Sequence, residues 1–240
     1  MSKYYQEFGK SPIYQALTTT TSLGNLAYQV DEGKGVFNNR IKLCKELNID
    51  TKNLILTHQS HSSIIKRVTK DDLGKGELSF ESGVEADGLY TNEKSIAIGI
   101  FHADCVPIFF YDKAKKIIGI IHCGYRGTLK HAAKIMLETY LKDNNASIKD
   151  IELTIGPARR LDSFEINEES KEEINKSLLY KYIKGNKFDM VQSNIDDFLS
   201  LGMDESQIFD SKFDTVTNDT FFSAYKKIPN GRMVSLIKFN

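Results

Sequence analysis

The sequence predicts an α/β (α+β) domain, and three observations support that fold class. Short apolar runs of strand length are interspersed with longer segments of helical periodicity. The 240 residues contain no internal repeat, low-complexity linker or Pro/Gly-rich joint at which the chain would divide. A chain of this length buries roughly 70–75% of its unfolded surface, enough for a core without disulfide bonds. We therefore expect a single domain over residues 1–240.

The individual elements follow from apolar spacing. Six short runs indicate strands, at Leu54–His58, Ser95–Phe101, Val106–Tyr111, Ile117–His122, Glu152–Ile155 and Val234–Phe239. Helical spacing indicates helices at Val36–Leu47 and Thr128–Leu141, and a weaker signal indicates two more at Glu168–Tyr182 and Met190–Leu201.

Charge and hydropathy exclude several classes of partner. Lys plus Arg and Asp plus Glu each total 32, so the chain has no basic field of the kind that binds nucleic acid or anionic membranes. No stretch approaches the roughly 20 apolar residues of a membrane span, and residues 1–21 lack an apolar run of signal-peptide length. We expect a cytoplasmic protein whose partner is a small molecule or another protein.

The three cysteines indicate thiol chemistry or metal ligation, since an odd number in a reducing compartment does not suit a disulfide framework. Cys44 falls at helical spacing with Phe37, Ile41 and Leu47, which predicts a buried core thiol. Cys105 and Cys123 remain as candidates for a site.

Residues 58–127 hold four of the five histidines and two of the three cysteines, which indicates a site. Taken alone, this segment leaves rival ligand sets open: His58 with His61, His102 with Cys105, and His122 with Cys123 are close pairs in sequence. Neighbouring strand residues face opposite sides of a sheet, so His122 and Cys123 should not both point into one site if the strand continues that far.

His122 ends an apolar strand, and Gly124–Gly127 turns the chain into a helix that begins near Thr128. The carboxyl ends of strands are common ligand sites in α/β sheets. Arg126 is then predicted beside a helix N-terminus, where backbone N–H groups favour an anion such as phosphate.

Several short motifs together resemble one known family. They are Gln59–His61, Ala86–Leu89, Ala103–Pro107 and His122–Gly127, with further similarity at Asn25–Leu26, Asn39–Arg40, Ile155–Ala158 and Gly231–Met233. In this order and spacing they resemble the signature blocks of the purine nucleoside phosphorylase and polyphenol oxidase ("laccase-domain") family. The resemblance spans nearly the whole chain.

The resemblance implies a zinc ion held by His61, Cys105 and His122. It also implies mixed β-sheets packed together with helices outside, similar to the catalytic domain of the cytotoxic necrotizing factor toxins. Family members act on purine nucleosides, by phosphorolysis of adenosine, inosine and methylthioadenosine and by deamination of adenosine. Some bacterial relatives are described as editing enzymes for cell-wall precursors.

The chemistry of this ligand set suits zinc, because two imidazoles and one thiolate are borderline-soft and leave the fourth tetrahedral position open. A bound zinc ion would lower the pKa of its water to about 7, and in deamination the resulting hydroxide would attack C6 of adenine. A carboxylate must pass a proton to the departing ammonia, and Asp104 and Asp87 are the candidates.

Phosphorolysis instead needs cationic groups that orient phosphate, and Arg126 and Arg40 are assigned to that role. A solvated position on its amphipathic helix is the alternative for Arg40. His58 and His102 match no ligand position of the family and are interpreted as structural or supporting residues. His131 lies off the apolar stripe of its helix, and we expect it to be exposed.

The chain departs from the family pattern at several positions. Tyr125 stands where relatives often carry tryptophan, and Cys123 where a small residue is usual. Arg159 and Arg160 follow Ile155–Ala158 where cysteines are common. These departures bear on substrate preference and leave the three ligands in place.

Two other function classes remain open. A copper polyphenol oxidase is one, because two histidines and one cysteine also hold blue copper. A multicopper oxidase needs many more imidazoles than the five present, which ranks copper below zinc. The other is an amidase acting on a cell-wall precursor, or a scaffold that has kept the fold without catalysis.

Overall fold

A computed structural model describes residues 2–9, 11–30, 34–226 and 229–240 of the protein. Two mixed sheets face each other. In spatial order, the five-stranded sheet contains β1 (Tyr5–Phe8), β2 (Tyr14–Thr19), β13 (Met233–Phe239), β6 (Ala97–His102) and β3 (Leu54–Leu56). The six-stranded sheet contains β12 (Ile208–Asp210), β9 (Ile151–Ile155), β7 (Val106–Asp112), β8 (Ile117–Cys123), β5 (Gly88–Thr91) and β4 (Ile65–Arg67).

Each sheet combines antiparallel and parallel pairs. In the five-stranded sheet only β3 and β6 pair in parallel, and in the six-stranded sheet β12 with β9 and β4 with β5 do so. A short hairpin of β10 (Ile183–Lys184) and β11 (Lys187–Phe188) stands apart from both sheets. The helices are α1 (Lys34–Glu46), α2 (Tyr125–Thr128), α3 (Ala132–Asp143), α4 (Glu168–Lys176) and α5 (Met190–Ser200).

The core lies in three apolar layers, which follow from the period-2 alternation of strand side chains. Ile98 of β6 and Ile120 of β8 meet between the two sheets. Side chains on the other face of the five-stranded sheet, such as Leu236 of β13, pack against α1. On the far side, Ile121 of β8 packs against α3 and α5. The structure therefore confirms the predicted fold class of mixed sheets packed together with helices outside.

The six predicted strands are present, with ends that differ by one or two residues. The helix expected at Thr128–Leu141 is wrong at its start, because α2 and α3 are separate helices. Between them His131 adopts a φ of 53°, in the left-handed region, and its N–H bonds the carbonyl of Thr128. The helix expected at Glu168–Tyr182 ends at Lys176, where α4 stops. None of the helices in the described ranges is both long and apolar enough to cross a membrane.

Candidate metal centre

Three side chains from distant parts of the sequence meet at one end of the six-stranded sheet. His61, Cys105 and His122 each offer one ligand atom, and these atoms all lie within 4.8 Å of one another. The rings of His61 and His122 are nearly perpendicular, with centroids 5.0 Å apart. Among the described residues this is the one group of three or more His, Cys, Asp or Glu side chains placed to hold a metal ion.

Strand register explains why the three side chains converge. In the antiparallel pair of β7 and β8, Val106 lies opposite Cys123, so Cys105 precedes β7 at the edge where β8 ends. In the pair of β5 and β8, Gly88 lies opposite Ile121, and this register places Asp87 beside His122. His122 is thus at the carboxyl end of its strand, as expected.

The backbone is unusual at two positions of the site. His61 has a φ of 59° and Asp104 a φ of 83°, both in the left-handed region that non-glycine residues rarely adopt. Such conformations cost free energy and persist where surrounding contacts enforce them, often at functional sites. Here they turn two loops so that His61 and Cys105 face His122.

Asp87 organises the loop that carries His61. Its fully buried carboxylate accepts hydrogen bonds from the backbone N–H groups of Ser60, His61 and Ser62, at 3.2, 3.1 and 2.7 Å, and from the Ser62 hydroxyl at 2.7 Å. The same carboxylate lies 2.9 Å from Nδ1 of His122. In the neutral imidazole, a proton held on Nδ1 by Asp87 leaves the lone pair of Nε2 for a metal, the arrangement in which a carboxylate orients a ligating histidine; a metal ion that binds there takes the place of the second proton of the charged ring.

The proposed ligands also shift one another's pKa values. Burial alone would raise the pKa of Cys105, but the charge of His122 and hydrogen bonds from His122 and His61 lower this pKa to about 6. Burial would lower the pKa of His122, and the Cys105 thiolate and Asp87 raise it to about 9. Cys105 is therefore a thiolate at neutral pH, the form that binds metals.

Gly124 lets the chain pass closely behind the ligands. A Cβ atom at this position would lie 2.7 Å from Sγ of Cys105 and 3.0 Å from Cδ2 of His61. Contacts this short are not tolerated, so the turn after β8 needs a residue without a side chain.

The two other cysteines lie outside the cluster. Cys123 faces the helical layer, on the opposite side of β8 from His122, and its Sγ is 3.5 Å from Oγ1 of Thr128. Burial raises its pKa to about 12. Cys44 is a buried core thiol whose pKa is likewise raised by burial to about 12. Both placements confirm the sequence predictions.

The remaining histidines have structural partners. His102 is buried between the sheets with Nε2 2.7 Å from Oγ of Ser235, and burial lowers its pKa to about 3. His58 packs edge-on against Phe80, with ring centroids 4.6 Å apart. His131, expected to be exposed, is partly buried with 40% of its side chain exposed, and its Nδ1 lies 2.8 Å from a carboxylate oxygen of Asp197 on α5.

Asp104 sits directly before the cysteine ligand and anchors two distant segments. One carboxylate oxygen accepts a 2.6 Å hydrogen bond from the Thr215 hydroxyl, and the other accepts a 2.8 Å bond from the N–H of Tyr225. Its carbonyl accepts a bond from the N–H of Arg159 at 2.9 Å. Sequence reasoning did not find these three partners, because no local pattern links them to residue 104.

Arg126 and Arg40, the two arginines assigned to phosphate, are placed differently. Arg126 is exposed on α2 and has no ion pair or side-chain hydrogen bond within the described part of the chain. A helix N-terminus was expected beside Arg126. The helix there, α2, has four residues and begins at Tyr125, one residue before Arg126. The role of Arg126 toward phosphate stays a prediction.

Arg40 is not the solvated residue of the alternative interpretation, which is wrong. It is 2% exposed and donates to the carbonyls of Leu26, Gly76 and Glu77. Its guanidinium carbon lies 4.4 Å from the ring centroid of Tyr28. None of these contacts involves the metal-ligand cluster, so they give Arg40 a structural role. The phosphate role predicted for it also stays a prediction.

Comparison with known proteins identifies the family. The sequence profile described as "Multi-copper polyphenol oxidoreductase laccase" matches residues 14–240. The chain belongs to this family. The resemblance predicted from the sequence motifs is thereby confirmed.

Relatives with similar sequences carry a different kind of name. A purine nucleoside phosphorylase (YlmD) of Bacillus subtilis is 34% identical over 129 residues, which span 53% of this chain and 46% of that protein. A purine nucleoside phosphorylase of Staphylococcus aureus (strain COL) is 27% identical over 224 residues, or 89% of this chain and 83% of the relative.

Solved structures share the fold. YlmD from Geobacillus stearothermophilus superimposes with a TM-score of 0.91 at 26% identity, covering 100% of this chain and 97% of that one. The Bacillus licheniformis hypothetical protein YfiH gives a TM-score of 0.87 at 25% identity, with coverages of 98% and 99%.

Proposed function

We propose that this chain is a zinc-dependent enzyme of purine nucleosides. It would cleave adenosine, inosine and methylthioadenosine by phosphorolysis and deaminate adenosine. One observation carries the proposal: the ligand atoms of His61, Cys105 and His122 converge, and Asp87 holds His122 in a metal-binding orientation. The names of the relatives, purine nucleoside phosphorylases, supply the substrate class.

The residues present fit a zinc ion. Zinc bonds of about 2.0–2.3 Å to nitrogen and sulfur place tetrahedral ligand atoms about 3.5 Å apart, so a cluster within 4.8 Å needs only a small closure. The lowered pKa of Cys105 supplies the thiolate that zinc requires. Three protein ligands leave a fourth position for water or substrate, as in catalytic zinc sites. When bound, zinc would supply Lewis-acid chemistry at that position.

The carboxylates near the cluster divide into two roles. Asp87 is fully buried, and its oxygens are taken up by the loop of His61 and by His122, so it orients ligands. Asp104 is only partly buried and adjoins Cys105. We therefore assign proton transfer to Asp104. Arg126, exposed two residues after Gly124, is the cation assigned to phosphate.

A copper oxidoreductase is the second candidate, favoured by the family description and by the two-histidine, one-cysteine set. Oxidation by several coppers would need further clusters of imidazoles. The described residues contain one metal-binding cluster, and the whole chain has five histidines. We therefore place zinc before copper.

Product analysis tests the proposed function. Purified protein would be incubated with adenosine, with and without phosphate, and the products separated by chromatography. We expect adenine and ribose 1-phosphate only with phosphate, and inosine in either case. Cys105→Ser should lose the metal and both activities, whereas Cys44→Ser, which alters a buried cysteine outside the cluster, should keep them. Absence of any nucleoside product from metal-loaded protein would overturn the proposal.

A further inference from the structure

Four side chains, Tyr125, Phe164, Arg159 and Tyr225, form a continuous chain of contacts, here called the rim. The ring centroids of Tyr125 and Phe164 are 6.0 Å apart. The guanidinium carbon of Arg159 lies 4.4 Å from the ring centroid of Phe164 and 3.8 Å from that of Tyr225. A cation at this distance from a ring is attracted by the electron density of the ring face. Arg159 therefore links the rings of Phe164 and Tyr225 through two cation–π contacts.

Both ends of the rim are tied to the metal-ligand cluster. Tyr125 directly follows Gly124, where an added Cβ atom would lie 2.7 Å from Sγ of Cys105 and 3.0 Å from Cδ2 of His61. At the other end, the N–H of Tyr225 donates a 2.8 Å hydrogen bond to the carboxylate of Asp104. Because Asp104 directly precedes Cys105 in the chain, each end of the rim joins a segment that carries or adjoins a metal ligand.

Tyr225 is the part of the rim that solvent reaches, with 48% of the residue exposed. Arg159 lies over one face of its ring, which leaves the opposite face without that cation. The guanidinium itself is held in place, because its Nε donates a 2.8 Å bond to the carbonyl of Ser163. Nη2 of Arg159 is buried without a hydrogen-bond partner among the residues that the structure describes.

We propose that Tyr225, positioned by Arg159, is the surface on which the purine base of the substrate stacks. The inference rests on the proposed function and deepens it, by assigning the recognition of the base to residues outside the metal cluster. An adjacent cation withdraws electron density from the tyrosine ring, which favours stacking of an electron-rich purine on the free face. Arg159 acts through Tyr225 and is a positioning residue.

Binding of adenine tests this assignment, since the free base is not consumed without a sugar phosphate. Equilibrium dialysis of radiolabelled adenine against metal-loaded protein gives the dissociation constant. Tyr225→Ala should raise it about 5- to 150-fold, the range found for loss of one aromatic stacking partner. Tyr225→Phe keeps the ring and should remain within about twofold. Tyr180→Ala, at a tyrosine with 63% exposure on the segment after α4, is the matched control and should have no effect.

A double-mutant cycle separates positioning from a general structural role. Arg159→Met keeps most of the side-chain length and removes the charge, so it should weaken adenine binding several-fold when Tyr225 is present. In the Tyr225→Ala background the same change should have no further effect. Additive losses would overturn the role assigned to Arg159.

The outcomes distinguish the rim from the proposed function. If the wild-type protein binds neither adenine nor adenosine, purine recognition fails and the rim fails with it. If the wild type binds adenine and Tyr225→Ala binds it equally well, the rim alone is wrong. Tyr225→Leu keeps apolar bulk without an aromatic face and should lose adenine binding as Tyr225→Ala does. If thermal unfolding shows that Tyr225→Ala is not folded, Tyr225→Leu replaces it in the test.

Discussion

Nδ1 of His122 lies 2.9 Å from Oδ1 of Asp87, and both side chains are buried at the end of the six-stranded sheet. The same carboxylate binds three consecutive backbone N–H groups of the loop that carries His61. One buried anion therefore fixes the orientation of one ligand and the path of the chain at another.

Removing the charge at Asp87 should weaken metal binding. An amide at this position directs its NH₂ group toward donors, so Asp87→Asn should lower zinc affinity about 10- to 100-fold, as loss of a partner that orients a ligand does. Competition with a chromophoric chelator measures the affinity. Ser62→Ala, which removes one hydroxyl donor to Asp87, should have a smaller effect in the same direction.

Ser60→Ala is the control for this series, because only the backbone N–H of Ser60 bonds Asp87 and its side chain is exposed. Its zinc affinity should match that of the wild type. Equal affinities for Asp87→Asn and the wild type would show that the contact with His122 does not orient a ligand.

A methyl group at Gly124 should displace the ligands. Because the new Cβ would lie 2.7 Å from Sγ of Cys105, Gly124→Ala should reduce zinc affinity about tenfold or more. Gly127→Ala adds the same group three residues later, where the nearest atom is 3.3 Å away, and should bind zinc normally. Chelator competition on both variants checks the difference, and equal affinities would contradict the tight packing behind the cluster.

Arg126 is expected to act on phosphate. Loss of a charge-assisted hydrogen bond at this position should raise the KM for phosphate about 10- to 100-fold in Arg126→Ala, with little change in zinc content. Lys130→Ala removes another exposed cation on the same segment and serves as the control. An unaltered KM and an unaltered rate of phosphorolysis in the arginine variant would end this assignment.

The buried His102 makes stability depend on pH. Burial lowers its folded-state pKa to about 3, below the ordinary 6.5, so the unfolded chain binds the proton more readily. The stabilising contribution is complete above the unfolded pKa and is lost as the pH falls toward the folded pKa. Below about pH 6, lowering the pH should therefore reduce the free energy of unfolding of the metal-free wild type more steeply than that of His102→Gln. The expected difference in slope is about 1.4 kcal/mol per pH unit.

Denaturant titrations at several pH values measure that difference. The glutamine amide can still reach Oγ of Ser235, so the comparison isolates the proton from the hydrogen bond. Parallel pH profiles for the two proteins would mean that His102 takes up a proton in the folded state.

Apolar patterns predict the central strands of both sheets, whereas the layered arrangement was implied by the family resemblance. Apolar runs such as that of β8 are continuous because both faces of the strand are buried, and alternation correctly separates His122 from Cys123. Short or partly exposed strands such as β12, with three residues, carry too little pattern to be found. The break at His131 was missed because Leu129 and Ala133 both pack against the same core, so the periodicity continues across it.

The site was only partly accessible to sequence reasoning. Residue types and motif order point to His61, Cys105 and His122, whose ligand atoms do converge. Asp87 appeared only as a candidate proton carrier, because its contact with His122 spans 35 residues and depends on strand register. The contact of Tyr225 with Asp104 spans 121 residues and has no local signal at all.

Metal exchange tests the central claim, nucleoside chemistry at a zinc site, most directly. Protein stripped by a chelator would be reloaded with zinc or with copper alone, and turnover of adenosine in phosphate buffer would be followed by chromatography. Zinc has no redox chemistry, whereas phenol oxidation needs an electron acceptor such as copper. We predict that zinc alone restores formation of adenine and inosine. Activity restored only by copper, with uptake of dioxygen and no nucleoside product, would contradict the account.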